Sequence, residues 1–377
     1  MKYSVISFLF FALLFFGYSC IEPFSPPEVN SVEKHLVVDG FFNVGSDTSR
    51  IDLRRTQNVN DKTQPIIESG ATVSVEAESG EMVLFNESRP GIYLAPPKQH
   101  NTADKYRLRV KTKDGKEYLS EYVAVSVTPA IDSVTNKYDK GQDAMIFYVN
   151  AHDSQSKTQF YRWKFEETWE YRTAYFSYLE VVNKQIQIRT KDINQCWGSM
   201  QSGSILLGST VKLSADVIKD LPLFRVPVST NKLFIKYSVL VRQYGLSRQA
   251  FEYWTTLAKT TQGTGSLFDP QPSQVTGNIQ NTKNAKDLVF GYFSASTEET
   301  KRLTIKPGLG NYARCAEPDT FDIVCNPLSM RQCALETSAL LISYGGMRSE
   351  YILGAPSSCT DCRTQGGTLV RPIYWDK

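Results

Sequence analysis

The stretch KYRLRVKTKDGKEYLSEYVAV, residues 105–125, decides the fold class of this chain. Tyr106, Leu108 and Val110 alternate with charged residues, and an apolar side chain at every second position is typical of a half-buried β-strand. An Asp-Gly pair at 114–115 supplies the turn of a hairpin, and a second alternating run follows. The stretch therefore predicts two antiparallel strands that turn one face toward a core.

The same alternation extends toward the N-terminus. It occurs in HLVVDGFF at 35–42, RIDLRRT at 50–56, ATVSVEAESGEMVLF at 71–85 and GIYLAPP at 91–97. A series of short strands without a helical pattern is typical of an antiparallel β-sandwich. We therefore predict an N-terminal sandwich domain over residues 34–128, of Ig-like or prealbumin-like type. Part of it resembles the prealbumin-like and carboxypeptidase-regulatory-like modules of exported proteins, which are structural or adhesive.

A second β-rich region begins near VTPAIDSV at 127–134, where Pro129 interrupts strand pairing. Alternating runs resume beyond it, among them FYRWKFEETWEY at 160–171. Trp163 lies on the apolar face of that run, and we expect it to anchor a core. Residues 129–377 are thus predicted to form a second, C-terminal sandwich, which makes the fold mostly β with two tandem antiparallel domains.

One segment of the second domain has helical spacing instead. In SRQAFEYWTTLAKTTQ, residues 247–262, Phe251 and Trp254 share a face with Leu257. Ser247 is a favourable N-cap, because its side-chain oxygen can accept a hydrogen bond from a free backbone N–H at the start of the helix. We predict an inserted helix near 247–262, whose aromatic stripe packs against the sheet or, less simply, faces a ligand.

The loop after this helix carries the predicted binding surface. It reads GSLFDPQPSQVTGNI, residues 265–279, and is extended and proline-containing. Long loops beside rigid sheets carry function more often than the sheets do. Phe251, Trp254 and Phe268 are therefore the candidate ligand-contacting residues, although the same loop could serve only to pack the helix onto the sheet.

The N-terminus has the pattern of a lipoprotein signal. Lys2 precedes a short apolar run, and the run leads to Cys20 at the expected cleavage position. The run is too short to span a bilayer, which takes roughly 20 apolar residues. We predict a signal peptide over 1–19, a lipidated Cys20 and a proline-rich tether over 20–33. Ile21 follows the cysteine, so the aspartate that retains many lipoproteins in the inner membrane is missing and the outer membrane is expected.

The composition of the chain argues against nucleic acid as a partner. The 377 residues carry a formal net charge of +3, and no run of Lys and Arg reaches five. Phosphate backbones are bound by clustered basic residues, which this chain lacks in sequence. An apolar content of 41% is enough for a substantial core.

Six cysteines remain besides Cys20, and an even number in an exported chain suggests disulfides. They are Cys196, Cys315, Cys325, Cys333, Cys359 and Cys362. Six cysteines allow 15 pairings, and the sequence does not choose among them. The CTDC string at 359–362 leaves a zinc site or free thiols as alternatives, but no second CxxC or His pair accompanies it. We therefore expect no metal and no cofactor.

No catalytic motif stands out. The chain has no HExxH zinc motif, nucleophile elbow, phosphate-binding P-loop or dinucleotide-binding fingerprint. A glycosidase needs only two suitably spaced carboxylates, so Glu166, Glu167 and Glu170, which stand beside aromatic residues, keep that alternative open. The simpler interpretation of these glutamates is the solvated face of a strand.

Two longer strings point to a family. Residues 237–279, YSVLVRQYGLSRQAFEYWTTLAKTTQGTGSLFDPQPSQVTGNI, are similar to the signature of Bacteroidetes outer-membrane lipoproteins grouped as domain-of-unknown-function family 4249. The ending CTDCRTQGGTLVRPIYW, residues 359–375, resembles the C-terminal motif of that family. The resemblance implies an outer-membrane lipoprotein often encoded beside a TonB-dependent receptor. It carries over no catalytic residue.

These observations predict a non-enzymatic outer-membrane lipoprotein, anchored through Cys20 on the cell surface or in the periplasmic leaflet. Its predicted role is a ligand-binding or accessory subunit of a TonB-dependent receptor. A surface hydrolase acting on glycans is the alternative from another class. A structural or adhesive envelope module is the third.

Overall fold

The computed structural model describes residues 34–57, 64–155, 157–262, 275, 277–311, 315–327 and 329–376. Within these ranges the chain is mostly β-structure in several sheets with two short helices, so the mostly-β prediction is confirmed. No helix among them is long and apolar enough to cross a membrane. The predicted signal segment, Cys20 and the tether lie outside the described residues.

The strands and helices form three successive parts of the chain. The first part forms β1 (Leu36–Asn43), β2 (Ser49–Arg55), β3 (Thr72–Ala77), β4 (Met82–Arg89), β5 (Ile92–Ala95), β6 (Lys105–Lys111), β7 (Glu117–Ser120) and β8 (Val123–Ser126). The middle part forms β9 (Ile131–Asp139), β10 (Ala144–His152), β11 (Phe160–Arg172), β12 (Leu179–Val182), β13 (Gln185–Ile188), β14 (Gln195–Gln201), β15 (Leu206–Ser209), β16 (Val217–Pro227) and β17 (Lys236–Gly245). The last part forms α1 (Arg248–Thr261), β18 (Ile279–Asn281), β19 (Val289–Phe290), β20 (Ala295–Ser296), β21 (Glu298–Ile305), β22 (Asp319–Phe321), β23 (Leu340–Gly345), β24 (Tyr351–Ala355) and α2 (Ser357–Thr360).

Eight strands pair in a closed ring around the first apolar core, in the order β6, β3, β4, β5, β2, β1, β20, β8 and back to β6. Strand β1 changes partner along its length, since residues 36–41 pair with β2 whereas Phe42 and Asn43 pair with β20. The predicted pair of tandem sandwiches is therefore wrong for this part of the chain. A sandwich of two open sheets leaves edge strands unpaired, but here the two residues of β20 fill the gap between β1 and β8.

A second apolar core lies between two further sheets. One has the order β16-β10-β9, and the other has the order β14-β11-β17-β21 with β15 also paired to β11. Trp163 is fully buried between them, and its Nε1 donates a hydrogen bond of 2.8 Å to Oε1 of Gln243, so its predicted role as a core anchor is confirmed. Strands β18, β19 and β20 return to the first part of the chain, where they pair with β7, β1 and β8. The division of the chain at residues 128 and 129 stays a prediction.

The predicted helix is present as α1. The Oγ of Ser247 accepts a hydrogen bond of 3.1 Å from the backbone N–H of Ala250, as expected of an N-cap. The apolar side of α1 packs on β11 and β15, where Phe251 stands 4.9 Å from the ring of Phe160. The aromatic stripe is thus partly a packing surface.

The six cysteines beyond the signal segment form three disulfides, which confirms that prediction. The pairs are Cys196–Cys362, Cys315–Cys359 and Cys325–Cys333. The two cysteines of the CTDC string therefore bond to different partners. We call the region of β12, β13 and β22 to β24, which these bonds connect to β14, the cysteine-rich cap.

Gly291 follows β19, which pairs with β1, and lies against the backbone of β1. Its φ is +126°, and a Cβ at this position would stand 2.1 Å from the carbonyl oxygen of Val38. We expect Gly291→Ala to lower the free energy of unfolding by about 3 kcal/mol, since it combines an unfavourable φ with overpacking of backbone. Gly80→Ala is the matched control, because Gly80 also has a positive φ but open space around it. Urea denaturation of both variants compares the two costs, and equal losses would contradict this account.

Candidate functional site

The structure separates the three residues predicted to contact a ligand. Trp254 is 9% exposed and lies at a cleft, whereas Phe251 packs on the sheet beside Phe160. Phe268 and most of the predicted loop 265–279 lie outside the described residues. Of the predicted surface, Trp254 alone is placed by the described residues in a setting that could receive a ligand.

The cleft lies where the eight-stranded ring meets the β14-β11-β17-β21 sheet, and we call it the junction cleft. The ring contributes one wall and the sheet with α1 contributes the other. Its lining consists of Asp39, Gly40, Phe41, Ser294 and Ser296 on the ring side, and of Arg162, Lys164, Tyr244, Leu246 and Trp254 on the sheet side. Ligand sites occur preferentially at such junctions between structural units.

The alternation of β11 places two cations on the wall of this cleft. Tyr161, Trp163 and Phe165 face the second core, so Arg162 and Lys164 point to the opposite side of the same strand. The guanidinium carbon of Arg162 lies 3.5 Å from the ring centroid of Trp254. This stacking fixes one cation against an aromatic surface and leaves its edges toward the cleft.

Both cations are poorly compensated. Burial lowers the pKa of Arg162, and the attraction of Asp39 offsets only part of that effect. Burial also lowers the pKa of Lys164, and the neighbouring charge of Arg162 lowers it further. The Nε of Arg162 is buried without a hydrogen-bond acceptor among the described residues. A buried donor without a partner costs stability, so the site lacks an acceptor that a ligand could provide.

The ring wall contributes one exposed carboxylate. Asp39 lies directly opposite Asp52 across β1 and β2, but Asp52 is occupied by two hydrogen bonds from Arg50, at 2.7 and 2.8 Å. Asp39 is exposed and forms no ion pair with another described residue. Phe41 meets the ring of Tyr244 edge to face at 4.8 Å and fixes the separation of the two walls.

The cleft is narrow. Its internal free volume is about 20 Å³, which is room for about one water molecule or one small anionic group. A whole ligand does not fit inside it. The geometry instead suits a single carboxylate-like group that enters between Arg162 and Lys164 while the remainder of the ligand stays outside.

The three glutamates of the glycosidase alternative do not share one site. Glu167 is buried and accepts hydrogen bonds from Lys232 and Tyr237 at 3.1 and 2.8 Å. Glu170 accepts from Gln195, and its other oxygen accepts from the indole of Trp375. Both carboxylates therefore stabilise the fold. Glu167 faces the opposite side of β11 from Glu166 and Glu170.

A metal centre finds no support in the described residues either. No group of three or more His, Cys, Asp and Glu side chains in these ranges is arranged to hold a metal ion. The cysteines of the CTDC string are oxidised in two separate disulfides, so in this state neither is available as a thiolate ligand.

A comparison with protein families identifies the group to which the chain is related. The model described as "Domain of unknown function (DUF4249)" matches residues 21–302, which is most of the chain. The chain belongs to the DUF4249 family. The match includes every residue that lines the junction cleft. It ends at residue 302, before β22 to β24, so the resemblance of the string at 359–375 to a DUF4249 motif stays a prediction.

Other comparisons add little. A search of the curated proteins found no match. Among solved structures, the chain resembles native E. coli alpha-2-macroglobulin at 11% identity and a TM-score of 0.19, covering 58% of this chain and 14% of that one. It resembles the BSP domain of a biofilm associated protein at 9% identity and a TM-score of 0.15, covering 74% of this chain and 60% of that one. Similarity this low supports no conclusion about fold or function.

The sequence contained a signal for part of the site that was not used. The alternation of the run at 160–171 places Arg162 and Lys164 on one face, opposite Trp163. Asp39 could not have been connected with them, because it lies far earlier in the chain and the contact depends on how the ring meets the sheet.

Proposed function

We propose that this DUF4249 protein is a non-enzymatic outer-membrane lipoprotein that captures a ligand through an anionic group held in the junction cleft. In this proposal Cys20 carries the lipid, and the protein serves as an accessory subunit of a TonB-dependent receptor. Family membership and the lipoprotein-like N-terminus support the setting, while the cleft supports the binding role.

The observation that carries the binding role is the pair of neighbouring, poorly compensated cations. Arg162 and Lys164 are adjacent on one strand face, both are desolvated, and the Nε of Arg162 has no acceptor within the part of the chain that the structure describes. Such an arrangement costs stability in the free protein. A bound anionic group would accept hydrogen bonds from both cations, and charge-assisted hydrogen bonds of this kind are about twice as strong as neutral ones.

Ligand capture can be tested with galacturonate as a carboxylate probe and galactose as its neutral counterpart. We expect galacturonate to raise the melting temperature of the wild-type protein, because a ligand that binds only the folded state stabilises it. The variant Arg162→Gln/Lys164→Gln should lose this response.

The matched control is Lys219→Gln/Arg225→Gln, which removes the same charge from exposed positions on β16. It should respond to galacturonate as the wild type does. A response that galactose reproduces, or that survives in the cleft variant, would contradict binding in the junction cleft.

Anchoring through Cys20 is tested by Cys20→Ala. We expect this variant to lose incorporation of labelled fatty acid and to move from the membrane fraction to the soluble fraction, because no lipid would remain to hold it on the bilayer. Fatty acid still incorporated into the variant would contradict lipidation at this residue.

The receptor association is tested by co-purification of the wild-type protein from a detergent extract. We expect a TonB-dependent receptor to be recovered with it in near-stoichiometric amount. Recovery of the protein alone, under conditions in which known receptor and lipoprotein pairs stay together, would contradict the accessory role.

Lys164 should also reduce the stability of the free protein. It stands directly opposite Arg242 across β11 and β17, and like charges in this position are unfavourable. We expect Lys164→Gln to raise the free energy of unfolding by about 0.5 to 1 kcal/mol in low salt, measured by urea denaturation.

The stability gained by Lys164→Gln should shrink as the pH rises toward 10.5, the ordinary pKa of lysine. Because the pKa of Lys164 is lowered on folding, the unfolded state holds more protons in that window and the wild type becomes more stable with rising pH. Lys219→Gln is the control and should change stability by less than about 0.5 kcal/mol. A destabilised Lys164→Gln would show that Lys164 supports the fold instead.

A further inference from the structure

The polar face of the β11-β17-β21 sheet continues from the junction cleft. Side chains opposite one another in adjacent antiparallel strands share a face, and the register therefore places two rows beyond Arg162. The rows contain Lys164, Arg242 and Thr300, followed by Glu166, Leu240 and Arg302. We call these six residues the outer trough.

The outer trough is accessible but bounded at both ends. Thr300 is exposed, and the other five residues are partly exposed. The ring forms one boundary at the junction cleft. The C-terminal segment forms the other, where Tyr374 bonds to the Oγ1 of Thr168 at 2.8 Å and lies 3.5 Å from the guanidinium carbon of Arg302.

The outer trough, like the junction cleft, contains a cation without an ion pair among the described residues. Arg242 is ion-paired with Glu298 and is the compensated cation of the set. Arg302 donates a hydrogen bond of 3.1 Å to the Oγ of Ser238 and stacks on Tyr374, but it makes no ion pair among the described residues. At one end Arg162 and Lys164 share the cleft with Asp39 but form no ion pair among the described residues. At the other end Arg302 forms no ion pair with a described residue either, and the neutralised Arg242 stands between them.

The spacing of these cations exceeds the size of a single anionic group. Successive same-face positions on a strand are about 6.7 Å apart, so the row of Arg162 and the row of Arg302 are separated by about 13 Å. One carboxylate in the junction cleft cannot reach Arg302. A ligand that uses both cations must be extended and must carry acidic groups at intervals.

We propose that an acidic polysaccharide binds along the outer trough, with one of its carboxylates in the junction cleft and another near Arg302. This inference rests on the proposed function and specifies the class of ligand. The trough offers guanidinium, ammonium and hydroxyl groups that suit the carboxylates of a uronic-acid chain, and its one carboxylate, Glu166, can accept hydrogen bonds from the sugar hydroxyls.

An acidic peptide is less well matched to this face. The backbone N–H and C=O groups of the sheet are already paired within the sheet, so a peptide lying across the face would find no main-chain partners there. Peptides that bind sheets add to an edge strand, where such groups are free. Arg302 stands on β21, the edge strand of this sheet, whereas Arg162 and Lys164 stand on β11, two strands further in. A peptide added along β21 would therefore not reach the junction cleft.

The test compares a galacturonate hexamer with the galacturonate monomer by titration calorimetry at low salt. We expect the hexamer to bind the wild type at least about tenfold more tightly than the monomer, because it reaches a second cation. Arg302→Gln should weaken the hexamer about tenfold and leave the monomer unchanged. Arg225→Gln is the matched control and should change neither affinity.

A second variant guards against a structural effect at Arg302, which stacks on Tyr374. Thr300→Glu adds a negative charge at an exposed position of the outer trough and should also weaken the hexamer without changing the monomer. Both variants should keep the wild-type melting temperature to within a few degrees, which shows that a lost affinity is not lost folding.

The outcomes distinguish the two proposals. If the monomer binds in an Arg162-dependent way but the hexamer binds no more tightly, the acidic polysaccharide is wrong while ligand capture stands. The inference is also overturned if polyglutamate binds as tightly as the hexamer, if both trough variants bind the hexamer like the wild type, or if the hexamer does not bind at all. If the galacturonate monomer does not bind the wild type at all, the proposed function itself is contradicted.

Discussion

Replacing Cys196 and Cys362 with alanine is expected to lower the free energy of unfolding by about 4 to 5 kcal/mol. This disulfide links residues 166 positions apart, and a cross-link over a long loop removes much conformational freedom from the unfolded chain. It also fastens the C-terminal segment beside β14, where the N–H of Cys362 bonds to the carbonyl of Ile193. Guanidinium denaturation under non-reducing conditions measures the loss.

The Cys325–Cys333 disulfide provides the matched comparison, because it closes a loop of only 8 positions. Its replacement by two alanines should cost about 2.5 kcal/mol on the same entropic grounds. If the short-loop variant loses as much stability as the long-loop variant, the C-terminal segment is held by packing and the long disulfide adds little.

Lys232→Met is expected to cost about 3 to 5 kcal/mol, because it leaves the carboxylate of Glu167 buried without its counter-ion. The Glu167 side chain is 3% exposed, and its two oxygens each lie 3.1 Å from Nζ of Lys232. Among the described residues, Tyr237 alone would remain to donate to it. Urea denaturation near neutral pH measures the effect.

Adding Glu167→Gln to Lys232→Met should recover part of this loss. Glutamine is neutral and keeps an acceptor for the hydroxyl of Tyr237, so the buried charge disappears while the hydrogen bond can remain. Lys219→Met is the control for loss of an exposed lysine and should cost less than about 0.5 kcal/mol. A double variant no more stable than Lys232→Met would show that the buried charge is not the source of the cost.

The sequence predicted the local structure well where periodicity was long. Residues 105–111 and the run containing Trp163 form strands as expected, and Ser247 caps the predicted helix. These features depend on neighbouring residues and on a single apolar face, which a sequence displays directly.

The closure of the ring could not be predicted in the same way. Strand β20 consists of Ala295 and Ser296, which is too short for a periodic pattern, yet it pairs in parallel with both β1 and β8. Its position follows from the long-range pairing of the later chain with β1, through β19 and the close approach at Gly291. The junction cleft could not be predicted either, because its walls come from residues near 40, 163, 245 and 295, which are far apart in the sequence.

The disulfides show both what the sequence predicts and what depends on long-range contacts. The even number of cysteines and the lipoprotein-like pattern of the N-terminal sequence were enough to predict that the six would pair. Which cysteine bonds to which depends on Cys196 and Cys362 meeting across the whole second part of the fold. The spacing of the cysteines in the sequence does not show that these two come together.

Crystals of the wild-type protein and of Lys164→Gln, soaked in bromide and measured at the bromine absorption edge, test the central claim most directly. The probe is a single small anion, it needs no knowledge of the natural ligand, and the cleft has room for about one such ion. We expect an anomalous peak in the wild type within hydrogen-bonding distance of the Arg162 guanidinium and the Lys164 ammonium, and we expect it to be lost in the variant. Bromide bound at other cations with none in the junction cleft would contradict the proposal that this cleft binds an anionic group.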